Sequence, residues 1–360
     1  MLIAPGDPNL ANRPSGEDTR RISTRRIESI QAARGIAALM VVVCHTSAFI
    51  GEDPNLWQRK PIYLWLRGTA LGVQLFFVLS GVVIFHAHRL DFDRPNRIAG
   101  FYWKRFRRIY PLYWIFLLLS LARHSIASVS TMAYQHDPMV ILSNFLLVHL
   151  FSYQTNMVQA WTLFDEVQFY LVFSLLLLNR RIGWIVFFAW MGVSLFFFGS
   201  SNVYWSAVCT PNHILFGLGV LIAKAMDSDK KIPAKTVFWC GLAVFCLAVL
   251  IAGPFDHGIA ISLIGGLGAA GVLLGAAVLE KRDVFAPPRW LVGLGNASYA
   301  IYIAHFMALS AVARIGYALW GHLQIPSAVW VVLLFLSGTG AGIAAHFVVE
   351  RPLLRVLGKR

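Results

Sequence analysis

Ten apolar windows long enough to enter a bilayer run almost end to end through this chain. They fall at about residues 31–50, 64–86, 109–122, 160–178, 182–199, 207–225, 236–253, 259–279, 291–313 and 327–349. A helix needs about 20 apolar residues to cross a ~30 Å hydrocarbon core. The spacing therefore predicts an all-α integral membrane protein with one membrane domain. Composition agrees: 58% of the 360 residues are hydrophobic and 13% charged, where soluble domains average about 45–50% and about 25%. The third window is short unless it extends into the Tyr/Trp/Pro-rich stretch before it or the polar stretch after it. A further window, "PMVILSNFLLVHLF" at 138–151, is ambiguous.

Charge decides its status. If 138–151 does not span, the chain has about ten transmembrane helices with cytoplasmic N and C termini. Twenty-six of the 31 Lys and Arg then lie inside, leaving Arg59, Lys60, Arg67, Arg123 and Arg314 outside. If it spans, every later loop inverts and the asymmetry is lost. The positive-inside rule favours ten spans, with 138–151 as an interfacial or re-entrant helix on the outer side. The same clustering at segment ends argues that the net charge of +14 sets topology and anchors membrane lipids, with no nucleic-acid partner. The expected organisation is a disordered cytoplasmic tail over 1–29, a membrane domain over 30–352 and a short cytoplasmic tail over 353–360, without signal peptide or attached soluble domain. Cys44, Cys209, Cys240 and Cys246 have no paired spacing, so neither a disulfide framework nor a metal site is expected.

Polar residues inside a membrane cost free energy and are functional candidates. "RGIAALMVVVCH" places Arg34 eleven residues before His45. Eleven steps of ~100° nearly complete three turns, so both leave one helix face ~16 Å apart. His45 then lies near mid-depth, either linked to another helix or serving as a general base. In "FYWKRFRRIYPLYW" (101–114), Arg105 and Arg108 stand i, i+3 just before a span. They are lipid anchors or a clamp for a phosphorylated cytosolic ligand. In "WTLFDEVQFYLVF" (161–173), Trp161, Asp165 and Gln168 share one face, and Glu166 and Tyr170 another. The two acids are a hydrated outer helix end, or they orient a histidine or an acceptor hydroxyl. "GNASYAIYIAHF" (295–306) carries Ser298, Tyr299, Tyr302 and His305 within a span. "LIGGLGAAGVLLG" (263–275) is expected to pack helices, since no strand precedes it as a nucleotide loop requires.

Together these stretches resemble the membrane-bound acyltransferase 3 family over about residues 27–353. "RGIAALMVVVCH" is similar to its Arg-x10-His pattern, "GVQLFFVLSGVVI" (72–84, with Ser80 and Gly81) to its second-helix signature, and "KRFRRIYPLYW" to its Arg-x-x-Arg stretch. "WTLFDEVQFYLVF" places Glu166 at the family glutamate, and "NASYAIYIAHF" and "ERPLLR" resemble the last two helices. Phe164, Asp165 and Val167 depart from the usual residues. The compact length looks most like the exopolysaccharide-production type.

The resemblance implies a membrane O-acyltransferase of the bacterial inner membrane. It implies acyl-CoA as donor, acetyl-CoA at family level, with no metal, and a hydroxyl of a cell-envelope, exported or lipid-linked glycan as acceptor. It assigns Arg34, Arg105 and Arg108 to the donor, and His45 and Glu166 to catalysis, with His45 either deprotonating the hydroxyl or being acylated first. Trp161, Asp165, Gln168, Tyr170 and His305 are then candidates for substrate contact. Two other classes remain: a transporter or flippase for an anionic or lipid-linked glycan, and a non-catalytic subunit of a polysaccharide export machine.

Overall fold

A computed structural model describes residues 27–51, 61–126, 133–149, 154–198, 200, 202–228, 231–253, 258–320 and 326–358. The expected N-terminal tail lies outside these, except that Glu28 and Ser29 already belong to the first helix. Among the described residues all regular structure is helical: α1 Glu28–Gly51, α2 Pro61–Arg67, α3 Gly72–His88, α4 Ile98–Ile126, α5 Pro138–Leu146, α6 Trp161–Leu178, α7 Arg180–Phe197, α8 Val203–Val208, α9 Asn212–Met226, α10 Ala234–Ala252, α11 Ile259–Lys281, α12 Arg289–Trp320, α13 Ser327–Ala345 and α14 Arg351–Leu357. A π-helical turn, His346–Glu350, joins the last two.

Among the described residues, eight stretches are long and apolar enough to cross a membrane, on α1, α2–α3, α6, α7, α10, α11, α12 and α13–α14. Their outward faces carry large apolar side chains such as Ile185, 69% exposed, and Phe196, 83% exposed. Such surface is stable against lipid and costly against water. The chain is thus a multi-pass membrane protein.

Two windows have helix bounds other than those hydropathy suggests. The third extends into the stretch before it: α4 is one 29-residue helix holding both the basic run Lys104–Arg108 and the 109–122 window. The window at 207–225 begins as a helix only at Asn212, because Pro211 at its N-cap has no N–H to continue a helix from α8. Residues of the expected C-terminal tail are helical as far as Leu357, in α14.

The 138–151 window holds a nine-residue helix, far too short to span. Asp137 caps it, accepting from the Met139 N–H at 2.8 Å, and Leu147 ends it with φ 54°. Its last carbonyls accept from the middle of α4: Tyr113 Oη to Asn144 O at 3.1 Å, Trp114 Nε1 to Phe145 O at 3.0 Å and Tyr110 Oη to Leu146 O at 2.8 Å. Asn144 ties α5 to the segment beginning at Gln154, with Nδ2 donating to Gln154 O at 3.1 Å and Oδ1 accepting from Asn156 N–H at 2.9 Å. The end carbonyls of α5 are thus satisfied by aromatic donors instead of water.

One end of the bundle is tied by polar links. The α1 N-terminus is capped from α11, with Glu28 and Ser29 N–H each 2.7 Å from a Glu280 carboxylate oxygen. Asp227 at the end of α9 pairs with Arg89 after α3 at 2.8 Å and with Lys281 of α11 at 3.4 Å. Arg180 N–H at the α6–α7 junction donates to Asp93 at 2.7 Å. These are the same basic segments that the charge count groups together.

Close helix contact relies on glycine. A Cβ on Gly295 would lie 1.8 Å from the Gln31 carbonyl oxygen, so α1 and α12 touch backbone to backbone beside Arg34. The glycines of 263–275 do the same work, Gly268 and Gly275 meeting the α10 backbone.

Candidate active site

A cavity of about 850 Å³, counting the open space at its mouth, lies between α1, α3, α4, α6 and α12. Its polar lining comes from every one of these helices. Arg34 enters from α1, where the Gly35–Gly295 contact brings α12 close. Arg105 and Arg108 enter from α4 on one face by their i, i+3 spacing, and Glu166 and Tyr170 from α6 by i, i+4. Ser80, Ser298, Tyr299 and Tyr302 complete the polar wall.

The groups are mutually held. Glu166 Oε1 accepts from Tyr170 Oη and from Ser80 Oγ, the latter at 3.3 Å. Arg105 lies over the Tyr170 ring at 5.8 Å and Arg108 over Tyr299 at 5.5 Å. Arg108 also pairs with Glu350, which is 2% exposed and accepts from His346 Nδ1 at 2.6 Å. Arg105 Nε is buried without a hydrogen-bond partner. Three guanidinium groups thus line a space whose own carboxylate is Glu166. The excess of positive charge and the spare buried donor suit an anionic, phosphorylated ligand. The residues fit acyl-CoA phosphates on that ground.

His45 is not in this lining. It pairs across to α12. His305 Nδ1 lies 3.0 Å from Ile301 O, and a carbonyl only accepts, so that nitrogen carries the proton. In the neutral ring, His305 Nε2 is then a lone pair, 3.1 Å from His45 Nδ1. His45 Nδ1, also 3.1 Å from Val41 O, must be N–H. With both rings neutral, His45 Nε2 is left as the free base. Cys44 points elsewhere, its Sγ 3.7 Å from Arg67 O.

The two adjacent acids separate. Successive helical residues diverge by ~100°, so Glu166 turns into the arginine cavity while Asp165 turns away from it. Asp165 is 1% exposed and accepts from Thr210 Oγ1 at 3.0 Å and Asn212 Nδ2 at 3.2 Å. Trp161 packs on Phe77 at 6.2 Å, and Gln168 is half-buried outside the cavity lining. Sequence reasoning quoted "ERPLLR" and Ser80 without assigning Glu350 or Ser80 to the site. A lone acid closing an apolar run was the available signal for Glu350.

Three arginines and a glutamate around a cavity within the helical bundle, with a histidine pair packed nearby, are the geometry of a membrane protein able to hold an anionic ligand next to a proton acceptor. Comparison with known proteins is consistent with that class. The acyltransferase-domain model of the acyltransferase 3 family matches residues 27–346. The chain is 29% identical over 303 residues to the exopolysaccharide production protein ExoZ of Rhizobium meliloti, covering 79% of this chain and 90% of that one. It is 26% identical over 379 residues to the acyltransferase MdmB of Streptomyces mycarofaciens, covering 93% of each. It is 24% identical over 333 residues to the peptidoglycan O-acetyltransferase OatA of Listeria monocytogenes, covering 80% of this chain and 50% of that one. No solved structure matches. The chain belongs to the acyltransferase 3 family and is an acyltransferase of groups other than aminoacyl groups.

Proposed function

We propose that this protein moves an acyl group, acetyl in the first instance, from cytosolic acyl-CoA to a hydroxyl of a cell-envelope or exported glycan, from the bacterial inner membrane. The observation that carries the reading is the arginine cavity: Arg34, Arg105 and Arg108 converge on one embedded space. The names of ExoZ and OatA support a glycan acceptor and O-acetylation. In this reading the three arginines bind the phosphates of the donor, and Glu166, held by Tyr170 and Ser80, sets a counter-charge in the same cavity. His45 Nε2 takes the proton of the acceptor hydroxyl as its oxygen attacks the thioester carbonyl. The carbon–sulfur bond breaks, and the thiolate recovers that proton to leave as free CoA.

The proposed topology has ten spans, the eight apolar stretches with α4 and α9, both termini cytoplasmic, and α5 entering from the outer side. The polar-linked end of the bundle is then the cytoplasmic one. Reporter fusions after Asp137 and after Gln154 are expected to report the outer side together. Opposite sides would break this topology.

The enzymatic test uses labelled acetyl-CoA, de-O-acylated envelope glycan and two variants. Glu166→Gln is expected to lower transfer about tenfold or more, by loosening a charge-assisted network. Asp165→Asn is expected to lower it less, since its partners lie outside the cavity. The reverse order would mean that the wrong acid was placed in the site, and no transfer by the parent would remove the reading.

A further inference from the structure

A second cavity, of about 530 Å³ counting the open space at its mouth, is formed by the end of α4, the turn at 133–136, the segment 155–159 after α5, and α12. Nothing in the donor reading uses it. Three of its lining residues each bury an amide oxygen that has no hydrogen-bond partner: Gln135 Oε1, Asn156 Oδ1 and Gln159 Oε1. Asn156 is 4% and Gln159 3% exposed. Their orientation is set by the other end of each amide. Asn156 Nδ2 donates to Gln135 O at 3.0 Å, and Gln159 Nε2 donates to Ile303 O at 2.8 Å. The oxygens are therefore what remains. Buried acceptors left without donors are costly and ask for a ligand that brings O–H or N–H groups.

The cavity shares a wall with the arginine cavity. Tyr302 and Thr162 line the first cavity, and both donate to the carbonyl of Gln159, at 2.9 and 3.2 Å. Phe306 lines the second, and the His45 ring packs edge-on against it at 5.5 Å. The histidine pair therefore stands beside the partition. Arg123 adds a cation to the lining, its Nη1 donating to Ser310 Oγ at 3.2 Å. A lipid chain would leave the three oxygens unsatisfied.

We propose that this second cavity is the acceptor subsite and that it takes a carbohydrate whose neighbouring hydroxyls donate to these amide oxygens. The inference rests on the acyl-transfer reading above. It moves acceptor recognition away from Trp161, Asp165, Gln168, Tyr170 and His305, none of which lines this space.

The test uses the full chain in proteoliposomes, with acetyl-CoA and oligosaccharides released from de-O-acylated envelope glycan of the host. Gln135→Leu removes one orphan oxygen from a half-buried side chain, and Met307→Trp fills the cavity. Gln135→Leu is expected to raise the KM for oligosaccharide about three- to tenfold, and Met307→Trp to stop transfer, both with the parent's affinity for acetyl-CoA. Parental KM and rate in both variants would overturn the proposal, as would an equal loss of acetyl-CoA affinity in both. A parent that binds no acetyl-CoA would fail differently, by removing the donor reading of the first cavity and this inference with it.

Discussion

His45→Ala is expected to lower single-turnover acyl transfer by about 10²–10⁴-fold, the usual contribution of a positioned general base. Alanine is tolerated in a spanning helix, so the membrane level of the variant should stay near the parent's. The loss should fall on kcat and leave acyl-CoA affinity near parental, because His45 does not line the arginine cavity and its Cα is ~16 Å along α1 from that of Arg34. His305 makes this prediction sharper. Its Nε2 accepts from His45 Nδ1, so a glutamine there, whose amide oxygen also accepts, should retain more activity than alanine. The parent's rate should fall as pH drops through the titration of the pair, since a protonated His45 has no lone pair to offer. Intact single-turnover transfer in His45→Ala would remove the general base. Lost binding with normal chemistry at saturation would make His45 part of the donor path.

Neutralising the arginine pair should act on the other kinetic constant. Arg105→Gln with Arg108→Gln is expected to raise the apparent KM for acyl-CoA at least tenfold, as two charge-assisted contacts of about 1.5–3 kcal/mol each are lost. The single variants should differ. Arg105 lies over Tyr170 and keeps a spare buried donor, so its loss reports ligand contact directly. Arg108 also neutralises Glu350, so Arg108→Gln alone leaves a carboxylate 2% exposed without its cation. Adding Glu350→Gln should recover folded yield without recovering acyl-CoA affinity. A parental KM in the double variant, with normal insertion, would return both arginines to lipid anchoring.

Much of this was legible from local pattern. The i, i+3 spacing of Arg105 and Arg108 and the i, i+4 spacing of Glu166 and Tyr170 each put two side chains on one helix face, and both pairs line the cavity. The short length of the 138–151 window pointed to a short helix, and α5 is nine residues long. What the pattern could not supply was which faces meet. Arg34 and His45 leave α1 by nearly one face, yet ~16 Å separates them along it. One lines the cavity between α1, α4 and α6, and the other pairs with His305 on α12. Helix periodicity gives direction around one axis and says nothing of the neighbour met at each depth. Asp165 and Glu166, adjacent in sequence, serve two different clusters for the same reason. Glu350 was hidden because its partner, Arg108, is 242 residues away in the chain.

The most direct measurement places the purified protein in proteoliposomes, with labelled acetyl-CoA on the side of the α1 N-terminus and de-O-acylated glycan on the other. The account predicts ester-linked label in the glycan on the far side, with free CoA released in equal amount on the near side. Glycan that crosses unlabelled, or label that never reaches it while acetyl-CoA binds, would contradict acyl transfer through the arginine cavity.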